Sequence, residues 1–311
     1  MSSALAPYPS LETQYAALQA RGRAGEFRPH QFGESVEGRP LWALTLPGGP
    51  ASVLVTANIH GPEFISGAVA WGVVDRLVAN DTPEAQALRH AATVTVVPCL
   101  NPDGYQRTWD ADGRGKLAEL RANARGVDLN RNYPLPRGAR RWPLPGAGSA
   151  NPAAATYRGE APLSEPETRA LAELARELRP HLSAGLHSFM GKIIPARVTT
   201  RHHYRRYVQL WREFRLAQPD QRYGRLASRI FDVFTGEQED YLHHELDCWS
   251  VCVETFSLRA SFGQHLRAPS LFWRFNPRDP APWVANDVPA LLAYANAGLS
   301  LPRPTQLGES R

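Results

Sequence analysis

Ala51 to Ile59 (ASVLVTANI) is a short apolar, β-branched run, the pattern of a strand. It ends at His60. Pro62 then suits the first turn of a helix, and an apolar three-to-four period continues over 63–79. Ala92 to Cys99 (ATVTVVPC) alternates strongly and predicts another strand. Shorter strand patterns stand at 182–187 and 249–254 (WSVCVE), and 25–38 with 39–46 read as a hairpin. Helical periods predict elements at 11–21, capped by Ser10, at 165–178 with acids in its first turn, near 204–216 and 221–232, and at 285–297. From Asn101 to about Ser164 periodicity is weak and Gly, Pro and Asn are frequent. A stretch of that length inside a compact domain is usually functional. Strands alternating with helices predict an α/β sandwich with a mixed sheet. No linker divides the pattern. One domain is expected over 1–300, with 1–25 as a helical N-terminal extension and 301–311 as a disordered tail.

Composition narrows the class. The chain has 311 residues, 43% of them hydrophobic, which suffices for a full core. No basic segment followed by an apolar one opens it, and no apolar run reaches membrane-spanning length, so no membrane partner and a cytoplasmic location are expected. Cys99, Cys248 and Cys252 cannot all pair, and the spacing of the last two does not fit a metal knuckle; they read as buried thiols. The net charge of +5 is carried by arginine, with Lys116 and Lys192 as the only lysines. Arginine and histidine concentrate between Arg197 and Arg229, either as a solvated helix face or as a rim that attracts anions. Nucleic-acid binding through this segment is a remote alternative, because no groove-reading signature accompanies it.

The chemistry begins at His60-Gly61-Pro62-Glu63. An imidazole and a carboxylate three residues apart sit where a strand ends, which is where open α/β sheets place their sites. Histidine with glutamate suits zinc but leaves the set one ligand short. His187, in Ala184-Gly185-Leu186-His187-Ser188-Phe189, ends another strand-like run and is the preferred third ligand. The pairs His202-His203 and His243-His244 compete, but lie in polar helical segments and are expected to be exposed. The block Leu120-Arg121-Ala122-Asn123-Ala124-Arg125-Gly126-Val127-Asp128-Leu129-Asn130-Arg131-Asn132-Tyr133-Pro134 gathers guanidinium and amide groups around a glycine pivot. Arginine is the side chain that holds a carboxylate with two parallel hydrogen bonds.

Taken with Asn101-Pro102-Asp103-Gly104 and His187-Ser188, these motifs resemble the zinc carboxypeptidase family, in the family's order, over about residues 35–295. The resemblance implies a three-layer α/β/α sandwich with a mixed, mostly parallel central sheet. It implies one zinc ion on His60, Glu63 and His187, with a fourth position open to water whose pKa falls towards about 7. Asp128 matches the aspartate that orients the first zinc histidine. Glu254, an acid at the end of an apolar strand, matches the general base and acid. Arg121 matches the oxyanion-stabilising arginine, and Asn130 with Arg131 the pair that grips the substrate's terminal carboxylate. Arg125 matches no role.

One departure concerns the family's closing tyrosine. Counting back from Glu254, its place falls near Asp232, while Tyr241 falls where a pocket-wall aromatic is more usual. Glu237, Glu239 and Asp240 read as an acidic loop near the pocket for the last side chain. An acid pointing inward there favours a cationic or diaminopimelate end, as in the murein peptide amidases that Arg121-Ala122-Asn123-Ala124 and Ser164-Glu165-Pro166-Glu167-Thr168 resemble. The expected activity is removal of a C-terminal residue from a peptide. The alternative is a zinc deacylase acting on N-acyl amino acids.

Overall fold

The computed structural model describes residues 3–226 and 234–307. Ser10 caps α1 (Leu11–Arg23) by accepting from the Thr13 N–H. β1 (Arg28–Glu34) and β2 (Pro40–Leu46) form the expected antiparallel hairpin, with a bulge between Gln31 and Gly33. β3 (Ala51–Thr56), α2 (Phe64–Ala79), α3 (Pro83–Ala91) and β4 (Ala92–Val97) make a unit of two parallel strands and their helical crossover. The weakly periodic stretch contains two short helices, α4 (Pro102–Asp110) and α5 (Leu117–Arg121), and a 3-10 turn at Leu129–Arg131. Then follow α6 (Pro166–Leu178), β5 (Leu182–Ser188), β6 (Lys192–Pro195), α7 (Arg201–Ala217), β7 (Gly224–Arg225), α8 (Gln238–Leu246), β8 (Trp249–Thr255), α9 (Leu258–Leu266), α10 (Phe272–Phe275) and α11 (Ala281–Leu299).

Among the described residues the strands form one sheet in the order β1-β2-β4-β3-β5-β8-β6-β7. Its centre, β4-β3-β5-β8, is wholly parallel, and antiparallel pairs flank it. Helices cover both faces, so the expected three-layer sandwich is present. Alternation along the central strands assigns each side chain to a face. Val53 and Val55, Val94 and Val96, and Leu182, Ala184 and Leu186 enter the larger core under α2, α7 and α11. Trp249, Val251 and Val253 do the same on β8. The residues between them, Ser183, Gly185 and His187 with Ser250, Cys252 and Glu254, therefore face α8. Leu54, Val97, Leu171 and Leu242 build the smaller core of that layer.

Three expectations are corrected. Residues 221–226 are extended, with β7 inside them, rather than the start of a helix over 221–232; 227–233, with Asp232 and Arg229, lie outside the described residues. Glu237 to Asp240 are not a loop: Glu237 is the cap of α8, and Glu239 and Asp240 form its first turn. The segment 301–307, expected to be disordered, is tied down where Arg303 donates to the carbonyls of Arg179, Pro180 and Asp247, and Thr305 donates to the Asp247 carboxylate.

Candidate metal centre and active site

Beyond β3 the chain turns sharply, and its neighbours pin the turn. Asn58 sits at φ +49° and its amide donates to the Glu63 carbonyl at 2.9 Å. Gly61 has no substitute here, because a Cβ would come within 2.3 Å of the Leu120 carbonyl oxygen and 2.5 Å of Gly104. The turn thus holds His60 and Glu63 against the loop that carries Arg121.

His60 Nδ1 lies 2.8 Å from Glu63 Oε1 and 3.2 Å from His187 Nδ1, and His187 Nδ1 lies 3.2 Å from Glu63 Oε2. All three residues are buried. Tetrahedral ligands about 2.0–2.1 Å from a zinc ion stand roughly 3.3 Å apart. These separations, and a donor set of two imidazoles with one carboxylate, fit that ion. Burial alone would raise the Glu63 pKa; His60 and His187 outweigh it and hold the carboxyl well below the usual range. Burial likewise opposes a charge on His187, and Glu63 outweighs it, so the His187 pKa is raised.

Asp128 stands behind His60, with Oδ1 3.0 Å from His60 Nε2. That bond leaves the proton on Nε2 and turns the Nδ1 lone pair towards Glu63 and His187. Arg121 Nε donates to Asp128 Oδ2 at 2.9 Å, and its Nη1 lies 3.7 Å from Glu63 Oε1. Burial pushes Asp128 up, but Arg121 and His60 reverse this and keep it ionised. Two asparagines that the sequence did not single out hold this loop. Asn123 accepts from the Arg125 and Val127 N–H groups around Gly126 (φ +77°) and donates to Glu165 and Glu167. Asn132 donates to the carbonyls of Arg158 and Ala161 and accepts from Thr168. Their signal was the density of asparagine in an aperiodic stretch.

β8 brings in Glu254, which pairs in parallel register with His187 on β5. Its Oε2 is buried without a hydrogen-bond partner. Burial raises the carboxyl to about 7, with Glu63 adding to the rise and His187 and Arg121 opposing it. Cys252 lies with His187 and Glu254 in a second cluster of ligand atoms. Burial and the surrounding carboxylates push that thiol up.

Asn130 Oδ1 accepts from the Gln238 N–H at 2.8 Å, fastening the arginine loop to the start of α8. Arg131 Nη1 lies 3.3 Å from Glu237 Oε1, and its guanidinium sits over the Phe234 ring. Glu237 is therefore the ion-pair partner of Arg131. Glu239 is buried with neither carboxylate oxygen in a hydrogen bond; its Oε1 is 3.9 Å from His187 Nε2. Gly185 makes room for it, since a Cβ there would stand 2.9 Å from that oxygen. Tyr241 packs against Tyr133 at 5.5 Å in the smaller core and forms no wall of the site. His243, expected to be exposed, is buried and bonded to Tyr207 and the Cys248 carbonyl.

A buried relay reaches the end of β8. Phe256 adopts φ +61°, a costly backbone for a residue with a side chain. Its N–H donates to the Tyr223 hydroxyl, which donates to Asp287 Oδ2 at 2.9 Å. A cavity of about 700 Å³ lies elsewhere, between residues 136–139 and the start of α7. The donor chemistry converges at His60, not there.

The sequence profile described as zinc carboxypeptidase (Peptidase_M14) matches residues 17–261. Mouse (Mus musculus) carboxypeptidase A6 is 32% identical over 171 residues, covering 52% of this chain and 38% of the relative. Murein peptide amidase A of Escherichia coli (strain K12) is 33% identical over 175 residues, covering 54% of this chain and 62% of the relative. The chain thus spans less than two thirds of the length of either. Bovine thrombin-activatable fibrinolysis inhibitor, solved with a tick carboxypeptidase inhibitor, superposes with a TM-score of 0.76 at 22% identity, covering 93% of this chain and 96% of that one. Carboxypeptidase A from Helicoverpa armigera superposes with a TM-score of 0.70 at 21% identity, covering 93% and 74%. At these identities the superpositions speak for the fold.

Proposed function

The chain belongs to the zinc carboxypeptidase family, and on that premise we propose that it hydrolyses the C-terminal residue of a peptide, with His60, Glu63 and His187 holding one zinc ion. The carrying observation is the parallel pairing of His187 with Glu254, which sets an unpartnered carboxylate oxygen beside the donor cluster. The bound ion supplies Lewis acidity towards a carbonyl and activation of water. Asn130 and Arg131 take the terminal carboxylate, which restricts the reaction to a chain end. Glu254 accepts a proton from the attacking water and returns it to the leaving nitrogen as the C–O bond forms and the C–N bond breaks. Arg121 faces the negative charge that develops on the carbonyl oxygen. Asp128 keeps the His60 ring oriented.

The reading extends to the last side chain of the substrate. A buried carboxylate without partners is costly, and a cation offsets that cost. Glu239 has no hydrogen bond on either oxygen and only a long ion pair to His187 at 3.9 Å, so a lysine, arginine or diaminopimelate end is favoured; the relative whose name specifies murein peptides supports the last. The test is mass spectrometry of short peptides ending in Lys, Phe or diaminopimelate, with and without a chelator. Turnover that survives removal of the metal would sink the mechanism. Equal turnover of Lys-ended and Phe-ended peptides would reject the role of Glu239, and Glu239→Gln should erase the difference between them.

A further inference from the structure

α9 presents Leu258, Phe262 and Leu266 at intervals of four residues on one face, 36%, 57% and 69% exposed. The helix starts just past the end of β8, and Phe189, two residues after His187, packs on its His265 ring. Arg259 and Arg267 are exposed beside that face. No acid occurs from Thr255 to Arg278. A second segment repeats the composition. Trp142 and Leu144 are 56% and 47% exposed, and exposed Arg137 and Arg140 precede them. No acid occurs from Leu129 to Gly159. This loop is fixed near the site where Arg131 donates to the Gly146 carbonyl and Thr235 to that of Ala147. Both segments thus belong to the end of the sheet that carries the metal cluster.

We propose that this rim docks peripherally on an anionic lipid surface. Protruding leucine and aromatic side chains next to arginines are the composition of an interfacial helix, with apolar groups entering the acyl boundary and cations at the headgroups. No helix of the described residues is long and apolar enough to cross a membrane, so the contact is one of docking. A second copy is a poorer occupant. A two-fold contact through segments without acids would set arginine against arginine. A soluble polyanion would neutralise the arginines but leave Leu258 and Leu266 in water.

The test is co-sedimentation of the full chain at about 0.15 M salt with vesicles of phosphatidylcholine alone and of phosphatidylcholine mixed with phosphatidylglycerol. Binding to the mixed vesicles is expected, weakening about tenfold or more in F262D/L266D and about thirtyfold in R259Q/R267Q. Circular dichroism checks the fold of each variant, and the arginine pair keeps the test decisive if the apolar pair unfolds. The proposal is overturned if the chain ignores the mixed vesicles or binds neutral ones equally well. It is also overturned if folded F262D/L266D binds unchanged, if only heparin is bound, or if light scattering shows a dimer that F262D/L266D breaks. None of these readouts depends on peptide turnover, so the surface and the hydrolase reading fail separately.

Discussion

Glu254 and His187 are 67 positions apart in the chain and adjacent in the sheet, because β5 and β8 run in parallel register. That adjacency gives the carboxylate its surroundings: His187 and Arg121 oppose the rise that burial and Glu63 impose on it. Glu254→Gln keeps the shape and removes the proton carrier. Its kcat should fall about 10²–10⁴-fold with bound zinc unchanged, measured by steady-state kinetics and atomic emission. A drop in metal content instead would make Glu254 part of the metal set. Glu237 presents the opposite case, an acid already paired with Arg131, the proposed carboxylate anchor. Glu237→Gln should free that guanidinium and lower KM for carboxylate-ended peptides about threefold to tenfold with kcat kept, within the range of a charge-assisted hydrogen bond. A higher KM would show that Glu237 supports Arg131 rather than competing for it.

At the scale of elements, α11 and the end of β8 are joined through Asp287, Tyr223 and Phe256. Burial raises Asp287 to about 7, against hydrogen bonds from Asn286, Tyr223 and Gln218 that favour its charged form. An unfolded aspartate titrates near about 3.9. The folded state therefore binds the proton more tightly. This contribution is fully present below about pH 4 and is lost as pH rises to about 7. Urea unfolding between pH 4 and 7.5 should show stability falling, by a few kcal/mol at most, over and above the trend of other groups. Asp287→Asn should flatten that part of the profile; an unchanged slope would locate the titration elsewhere. No sequence pattern announces this relay, because its members come from a loop, a helix and a strand end.

At the scale of the molecule, the metal cluster clasps β3, the start of α2 and β5. Each holds ligands through its own hydrogen bonds, and His60 is already fixed by Asp128. The fold should therefore survive chelation, and zinc should stabilise it by mass action. At a hundredfold excess over Kd the gain is about 2.7 kcal/mol, or roughly 4 °C in Tm for a chain of 311 residues. Differential scanning calorimetry should show the rise in the full chain and its absence in His187→Ala. An equal rise in both would place the ion on other residues.

The strands, the hairpin and the helices over 63–79 and 165–178 were legible because each carries its period within a dozen or so neighbouring residues. The proposed metal donors His60 and Glu63 were legible for the same reason: they share one turn, and Gly61 and Pro62 mark it. The short helices α4, α5, α8 and α9 were not. Their apolar faces are brief, and tertiary packing rather than local pattern stabilises them. Local pattern carries the alternating α/β order and the residue types of the site. Sheet register and packing set contacts that no local pattern announces, His187 paired with Glu254, Glu237 on Arg131 and Glu239 near His187, while Asp128 behind His60 was expected from the resemblance. The reason is register. A strand's period is local, but its partner is chosen by the whole sheet, and the chemistry lies between partners.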